Sequence, residues 1–244
     1  MNPLPAPSAP PRFSGRTAAV ILGLYVVVAV ANALSTALDS STIHNLTTAL
    51  LVPLLFAWLL GSSVRPLPAP TRLLAIGLVF AWLGDVALLG SGDARFITGI
   101  AMFLVMQVFY ILAFRRVPGH GLVHAWPVAV IPYALVWLVL AIAMWLHAGA
   151  TAIPGLVYGL VLAAMALSAL DLVIRVPQRL GWRVAIGAAF FMLSDGLIAL
   201  SAFAGVTSTP ALSTAVMVTY AAAQAMIVTG FVLAVNAVSQ GEMK

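Results

Sequence analysis

Two acidic residues lie inside apolar stretches that are long enough to cross a lipid bilayer. Asp85 is in residues 81–89, and Asp195 is in residues 191–200. An ionised Asp at the centre of a membrane helix costs about 2.5–3.5 kcal/mol, so an acid in this place usually has a function. Two neighbouring carboxyl groups do not ionise easily together, so one keeps its proton while the other is a base. The pair therefore fits general acid–base hydrolysis.

The same two acids fit two other roles. In a transporter, the pair would carry a proton or a cation. The chain lacks two features of such sites, namely Gly- or Pro-interrupted segments at matching positions of its halves and a basic partner inside a span. In a structural role, each Asp would hydrogen-bond Tyr, Gln or Ser side chains and fix the helix bundle. The residue types alone leave all three roles open.

Other catalytic groups are poorly placed. Ser194 stands beside Asp195 but has no His base, so we do not expect a serine nucleophile. The chain has no cysteine, which excludes disulfides and thiolate sites. The histidines lie at predicted span ends or in loops, without metal-ligand spacing to an acid, and we expect no metal ion and no organic cofactor. These histidines are His44, His120, His124 and His147.

The composition is that of a membrane protein. Of 244 residues, 63% are hydrophobic and only 7% are charged, whereas a soluble domain carries about 25% charged residues. The net charge of +5 does not indicate a nucleic-acid partner. The basic residues lie in short loops between apolar segments, where they set membrane orientation. Ala-rich spans with almost no Lys favour a bacterial inner membrane.

The apolar segments predict an all-α bundle of eight transmembrane helices, since a span needs about 20 apolar residues. A Pro-rich leader, residues 1–16, is expected to be disordered. Residues 17–238 form the membrane domain, and residues 239–244 form a short cytoplasmic tail. The predicted spans are residues 17–38, 42–61, 71–90, 95–114, 123–147, 153–174, 182–204 and 211–238.

The basic residues predict the orientation of the bundle. With alternating spans, ten of the eleven Lys and Arg residues fall on one side, and only Arg95 falls on the other. Cytoplasmic loops are enriched in these residues, so both termini are expected in the cytoplasm. Spans three and seven, which hold the acids, then run in the same direction, and spans four and eight each follow with a Gln and a Tyr. This pattern predicts a four-plus-four pseudo-repeat.

Polar side chains elsewhere in the spans are candidate supporting residues. In the first span, Asn32 shares one helical face with Ser35, Thr36 and Asp39. These residues either cap the helix end or form a polar wall near the entrance of a site. The fourth and eighth spans supply two further pairs, each about one turn apart. These pairs are Gln107 with Tyr110, and Tyr220 with Gln224.

The motifs resemble the YhhN family of membrane proteins, which includes the lysoplasmalogenases. Residues 83–89 read L-G-D-V-A-L-L, similar to the family's G-D motif, and residues 191–199 read F-M-L-S-D-G-L-I-A, similar to its S-D motif. Residues 103–114 resemble F…H…Y-I…F, and residues 220–227 resemble Y-x-x-A-Q-x-L-I. The resemblance covers about residues 45–231 and implies a fold of eight spans.

Two positions depart from the family pattern. Thr48 stands where the second span of the family often has Lys, in a pattern like T-K-P-L-L-M-P. Gln107 stands where the fourth span often has His. The loss of two basic groups changes the charge balance of the site, so a different substrate or activity from that of the best-known members is open.

The resemblance implies an intramembrane hydrolase that cleaves the vinyl ether bond of lysoplasmalogen, with Asp85 and Asp195 as acid and base. Products would be a fatty aldehyde and a glycerophospho-ethanolamine or -choline. The single-chain lysophospholipid would enter from membrane lipid between helices, its tail in the apolar bundle and its head at the outer surface. A proton- or cation-coupled transporter that uses the same Asp pair is the alternative. Supporting residues would be Gln107, Tyr110, Tyr220, Gln224, Ser194, Asn32 and Thr48.

Overall fold

The computed structural model describes residues 9–203 and 206–241 of the chain. This part is helical apart from loops and one isolated β-bridge. Short 3₁₀ helices occur at Pro127–Val130, Gly149–Ala152 and Asp171–Ile174. The α-helices are α1 (Gly15–Ala37), α2 (Ser41–Ser62), α3 (Ala69–Leu88), α4 (Asp93–Arg115), α5 (Leu122–Ala125), α6 (Ile131–Ala148), α7 (Ile153–Leu170), α8 (Gln178–Phe203) and α9 (Pro210–Ser239).

Eight helical segments of the described chain are long and apolar enough to cross a membrane, which confirms the predicted all-α bundle. The fifth span differs from the single helix predicted over residues 123–147. It divides into α5, a 3₁₀ helix that begins at Pro127, and α6. A proline has no N–H to donate, and it pushes the preceding residue out of the helical region. Accordingly, Trp126 has φ −137° and ψ 78°.

Helix α9 is the centre of the bundle. It packs against α1, α2, α3 and α8, and 67% of its most apolar stretch is buried. In α1, and in the span that contains α6, the corresponding fraction is only 11%. Helices α1 and α6 therefore leave most of their apolar surface for lipid, while α9 carries its polar side chains into the interior.

Glycines allow the hairpins that hold the acids to pack closely. A Cβ atom at Gly84, directly before Asp85, would come within 2.9 Å of the Phe103 ring on α4. A Cβ atom at Gly187 on α8 would come within 2.9 Å of the Met226 Cβ on α9. Small residues let helix backbones approach each other in membrane bundles. The glycine of the G-D motif is therefore a packing requirement of the α3–α4 hairpin.

The helix contacts are compatible with the predicted four-plus-four repeat. The repeat would relate α2, α3 and α4 to α7, α8 and α9. Three helix contacts occur together with the contact that the repeat would make equivalent: α3–α4 with α8–α9, α2–α3 with α7–α8, and α2–α9 with α4–α7. The hydrogen bonds to the two acids do not follow this symmetry, because one comes from α9 and the other from α7. The repeat therefore stays a prediction.

The described part of the N-terminal leader contacts the bundle. Ala9 and Arg65 exchange two backbone hydrogen bonds, of 2.7 and 2.9 Å, and the Phe13 N–H donates to the Gly61 carbonyl. This part of the leader thus lies against the end of α2 and the α2–α3 loop, whereas the sequence suggested disorder up to the first helix. For the first eight residues, which lie outside the described chain, disorder stays a prediction, as does the cytoplasmic tail.

Candidate active site

Asp85 is enclosed at the contact between α3 and α9. The residue is only 5% exposed, and its Oδ2 accepts a hydrogen bond of 2.8 Å from the Tyr220 hydroxyl. The Tyr220 ring packs edge-on against Phe103 and Phe191, at centroid distances of 6.0 and 5.8 Å. Two of the predicted site residues, the acid and its tyrosine, therefore meet in apolar surroundings.

Asp195 lies on α8 and is less enclosed than Asp85. Its Oδ2 accepts a hydrogen bond of 2.5 Å from the Tyr158 hydroxyl on α7. The neighbouring Ser194 is 1% exposed, and its hydroxyl donates to the Val216 carbonyl on α9 at 3.1 Å. Ser194 therefore joins α8 to α9, while Asp195 faces α7.

Buried amides complete the polar interior. The Tyr110 hydroxyl donates to Gln224 Oε1 at 2.8 Å, and Gln224 Nε2 has no partner among the described residues. Gln107 lies within reach of the Tyr158 hydroxyl, yet neither of its amide atoms makes a well-aligned hydrogen bond within the described chain. A buried polar group without a partner costs about 1–3 kcal/mol. These amides are therefore placed to bind water or a polar substrate atom.

Asn32 and Thr48 belong to a separate polar contact between α1 and α2. Asn32 Nδ2 donates to the hydroxyls of Thr47 and Thr48, at 2.9 and 2.8 Å. The hydroxyls of Ser35 and Thr36 donate to the backbone carbonyl of Asn32, each at 2.8 Å. In the described residues, the hydrogen bonds to the two acids come from tyrosines and not from this cluster. The structure thus brings Asn32 and Thr48 together, but as a helix contact.

The polar groups around the acids are phenols and amides. Within residues 9–203 and 206–241, the ion pair found is Asp171 with Arg175, at 3.1 Å, beyond the end of α7. No group of three or more His, Asp or Glu residues in that part of the chain is placed to hold a metal ion. Neither Asp85 nor Asp195 has a basic partner there.

A polar cleft of about 750 Å³ opens where α2 and α9 begin and where α1 and α8 end. Hydroxyl side chains make up much of its wall, and Asp39 is its acidic residue. The His44 ring in this cleft hydrogen-bonds the Thr36 hydroxyl through Nδ1 at 2.9 Å. Such a wall suits a polar, hydrated group. The lining hydroxyl residues are Ser35, Thr36, Ser40, Ser41, Ser201, Ser208, Thr209 and Ser213.

An apolar groove of about 570 Å³ runs between α6 and α8. Its wall consists almost entirely of hydrocarbon side chains, and several of them are half exposed at the bundle surface. Such a wall suits a hydrocarbon chain. The lining residues are Pro132, Tyr133, Leu135, Val136, Val139, Leu140, Ala189, Met192, Leu193, Gly196, Leu197 and Leu200.

Two small cavities at Asp195 lie between these larger spaces. Their volumes are about 40 and 50 Å³, and both are lined by Asp195 and Tyr158. The first shares Leu140, Met192 and Gly196 with the apolar groove. The cavity at Asp195 and the apolar groove are therefore neighbours that share part of one wall.

The second small cavity borders the other large space. It shares Phe96 and Ile198 with the polar cleft. None of these four spaces has Asp85 among its lining residues. Asp195 thus lies between a polar and an apolar space. Asp85 lies in the closed interior of the bundle, at the contact between α3 and α9.

Tyr158 is the site residue that the sequence reasoning missed. It lies between Gly155 and Gly159, whose spacing is typical of close helix packing. A signal was available, because the chain has only five tyrosines and a buried tyrosine hydroxyl usually finds a hydrogen-bond partner. A tyrosine in the middle of a span was therefore a candidate partner for an intramembrane acid.

Comparison with known proteins decides the family. The model of the YhhN family matches residues 43–231, which is most of the chain. The chain belongs to the YhhN family. This confirms the resemblance drawn from the motifs, and the matched region contains both acids and both of their tyrosine partners.

Among relatives of this YhhN protein is lysoplasmalogenase TMEM86A of Homo sapiens. The two proteins are 31% identical over 169 residues, which is 66% of this chain and 65% of the human protein. The match thus spans slightly less than two thirds of the length of the relative. No solved structure matches the chain.

Proposed function

We propose that this protein is a lysoplasmalogenase of a bacterial inner membrane. It hydrolyses the vinyl ether bond of a single-chain lysoplasmalogen and releases a fatty aldehyde and a glycerophospho-ethanolamine or -choline. The YhhN match and the similarity to a protein named lysoplasmalogenase support this assignment. In this proposal Asp195 acts first as the general acid and then as the general base, and Asp85 stabilises the cationic intermediate.

The observation that carries the proposal is the position of Asp195 between the polar cleft and the apolar groove. A lysoplasmalogen has a polar headgroup and one hydrocarbon chain, and its vinyl ether bond lies where they meet. If the head occupies the cleft and the chain occupies the groove, the reacting bond lies beside the Asp195 carboxyl group. This arrangement explains how a single carboxyl group selects one bond of a long lipid.

The proposed reaction begins with proton transfer from Asp195 to the alkenyl carbon one bond away from the carbon that bears the ether oxygen. This gives an oxocarbenium-like cation, which the ionised Asp85 stabilises electrostatically. Asp195, now a carboxylate, takes a proton from the water that adds to the cation. The resulting hemiacetal collapses to the aldehyde and the glycerol hydroxyl. One water molecule is consumed, and the Asp195 proton is restored.

Replacement of each acid by Asn tests the proposal, because Asn keeps the size but loses the titratable proton. We expect purified wild-type protein to release aldehyde from lysoplasmalogen, measured by mass spectrometry. Asp85→Asn and Asp195→Asn should each lower turnover by at least about 100-fold, since general acid–base catalysis contributes about 10²–10⁴-fold. The double variant should lose little more, because groups that act as a unit are not additive.

Asp93→Asn is the matched control, because Asp93 is an exposed acid at the start of α4. It should keep wild-type turnover. Full activity in either single site variant, with the protein well folded, would refute the mechanism.

The transporter alternative predicts different measurements. Wild-type protein would release no aldehyde from any lysolipid, and proteoliposomes would show proton- or cation-coupled flux that both Asn variants abolish. The Gln107 amide and Gln224 Nε2, which are buried without a hydrogen-bond partner in the described chain, favour this alternative because they could hold water along a path through the bundle.

A further inference from the structure

The apolar groove between α6 and α8 opens at the surface of the bundle. Three of its α6 side chains are about half exposed or more, namely Leu135 at 54%, Val136 at 48% and Val139 at 65%. Across the groove, Leu193 on α8 is 49% exposed. A hydrocarbon chain can therefore enter this groove sideways from the lipid, without passing through a polar region.

The inner end of the groove meets the cavity that Asp195 lines. Leu140, Met192 and Gly196 line both spaces, and Gly196 directly follows Asp195 in the chain. A Cβ atom at Gly196 would have Leu140 Cδ1 as a neighbour at 3.7 Å, which is ordinary van der Waals contact. An alanine would therefore fit here, whereas a large side chain would fill the space where the groove borders the Asp195 cavity.

We propose that this groove binds the single hydrocarbon chain of the substrate and that Gly196, facing Leu140, keeps its inner end open. The proposal rests on the proposed function and names the part of the lipid that each space takes. Lipid tails are as apolar as the groove wall, so burial in the groove gives little net affinity in a membrane. The groove instead positions the lipid: it determines which bond of the lipid lies beside the Asp195 carboxyl group.

Photolabelling tests this placement without any turnover. The probe is a saturated 1-O-alkyl lysophospholipid with a diazirine on its chain, which contains no vinyl ether bond. We expect labelled peptides from the groove walls of α6 and α8, and we expect excess unlabelled lysolipid to compete with the labelling. Gly196→Phe should reduce this competable labelling at least about fivefold.

Two further variants guard against misfolding and general effects. Leu140→Trp closes the same opening from α6 and should have the same effect as Gly196→Phe. Gly23→Phe is the matched control, because a Cβ atom at Gly23 meets nothing within 4 Å on the exposed side of α1. It should label like wild type. All variants are compared at equal amounts of monodisperse protein.

The outcomes separate this inference from the proposed function. Labelling that both opening variants leave unchanged, or competable labelling confined to other helices, overturns the groove as the chain site. Labelling as expected, together with no aldehyde release from lysoplasmalogen by wild type, keeps the chain site and rejects the proposed reaction. Loss of long-chain turnover in Gly196→Phe with short-chain turnover retained would support both.

Discussion

At the residue scale, the two intramembrane acids, Asp85 and Asp195, each have one tyrosine as hydrogen-bond donor and no basic partner in the described chain. A hydrogen bond to a charged group contributes about 1.5–3 kcal/mol, which at best offsets the cost of about 2.5–3.5 kcal/mol for the ionised acid. An Asn would accept the same hydrogen bond and is cheaper to bury. What Asp adds is a titratable proton, and this favours a chemical role over a structural one.

Tyr158→Phe should impair the reaction while the protein stays folded. The change removes the hydroxyl that donates to Asp195 and keeps the ring. Loss of a hydrogen bond worth about 1–3 kcal/mol corresponds to roughly five- to 160-fold lower turnover. The measurement is aldehyde release per folded protein.

Tyr25→Phe provides the comparison for Tyr158→Phe. The Tyr25 hydroxyl donates to the Ala221 carbonyl at 2.7 Å, so its removal should lower the melting temperature but not the turnover per folded molecule. Equal losses of turnover in both variants would contradict a specific role of Tyr158.

The two departures from the family pattern have different surroundings. Thr48 accepts a hydrogen bond from Asn32 in the α1–α2 contact. Gln107 lies beside Tyr158, the partner of Asp195. An effect of the lost basic groups on the reaction is therefore expected mainly at Gln107.

At the element scale, the position of Asp85 depends on how closely α3 and α4 pack. Gly77 and Gly84 both face aromatic side chains of α4, and a Cβ atom at Gly77 would come within 2.7 Å of the Tyr110 ring. Tyr110 in turn binds Gln224 on α9. A change in the α3–α4 distance would therefore shift Asp85 on α3 relative to Gln224 on α9.

Gly84→Ala should destabilise the protein by about 1–3 kcal/mol, because extra atoms in a packed interior force neighbours out of place. The added Cβ would meet the Phe103 ring. Thermal unfolding in detergent measures the effect. Gly23→Ala is the control: its Cβ meets nothing within 4 Å, and the higher helix propensity of Ala should leave stability unchanged or raise it by up to about 1 kcal/mol. A wild-type melting temperature for Gly84→Ala would contradict this account of the G-D motif.

At the scale of the whole molecule, the positive-inside pattern predicts both termini in the cytoplasm. The polar cleft, formed near the α1–α2 and α8–α9 connections, then opens on the outer side. The proposed headgroup site would therefore face the periplasm.

Single cysteines test this orientation well, because the natural chain contains none. A membrane-impermeant maleimide added to intact cells should label cysteines at Gly92, Gly149 and Thr207. A cysteine at Gln178 should react only after the membrane is permeabilised. Labelling of Gln178 in intact cells, with Thr207 protected, would reverse the predicted topology.

The sequence by itself determined the class of fold and the position of its two intramembrane acids. Helix length and apolar composition are local properties, so the eight spans were readable without tertiary structure. The break of the fifth span before Pro127 was not predicted, because the apolar run over residues 123–147 is continuous in composition. The motifs around Asp85 and Asp195 were sufficient for the family, because they are continuous in the chain.

Only the tertiary structure decided which groups meet. The partner of Asp85 is Tyr220, 135 residues away, and the partner of Asp195 is Tyr158 on a different helix. These pairings depend on the rotation of each helix about its axis and on close contacts that glycines permit. The same packing leaves space beside Asp195 and encloses Asp85. A hydropathy pattern predicts neither the rotation of a helix about its axis nor its close contacts. It records how apolar each segment is, and not which side of the segment another helix covers.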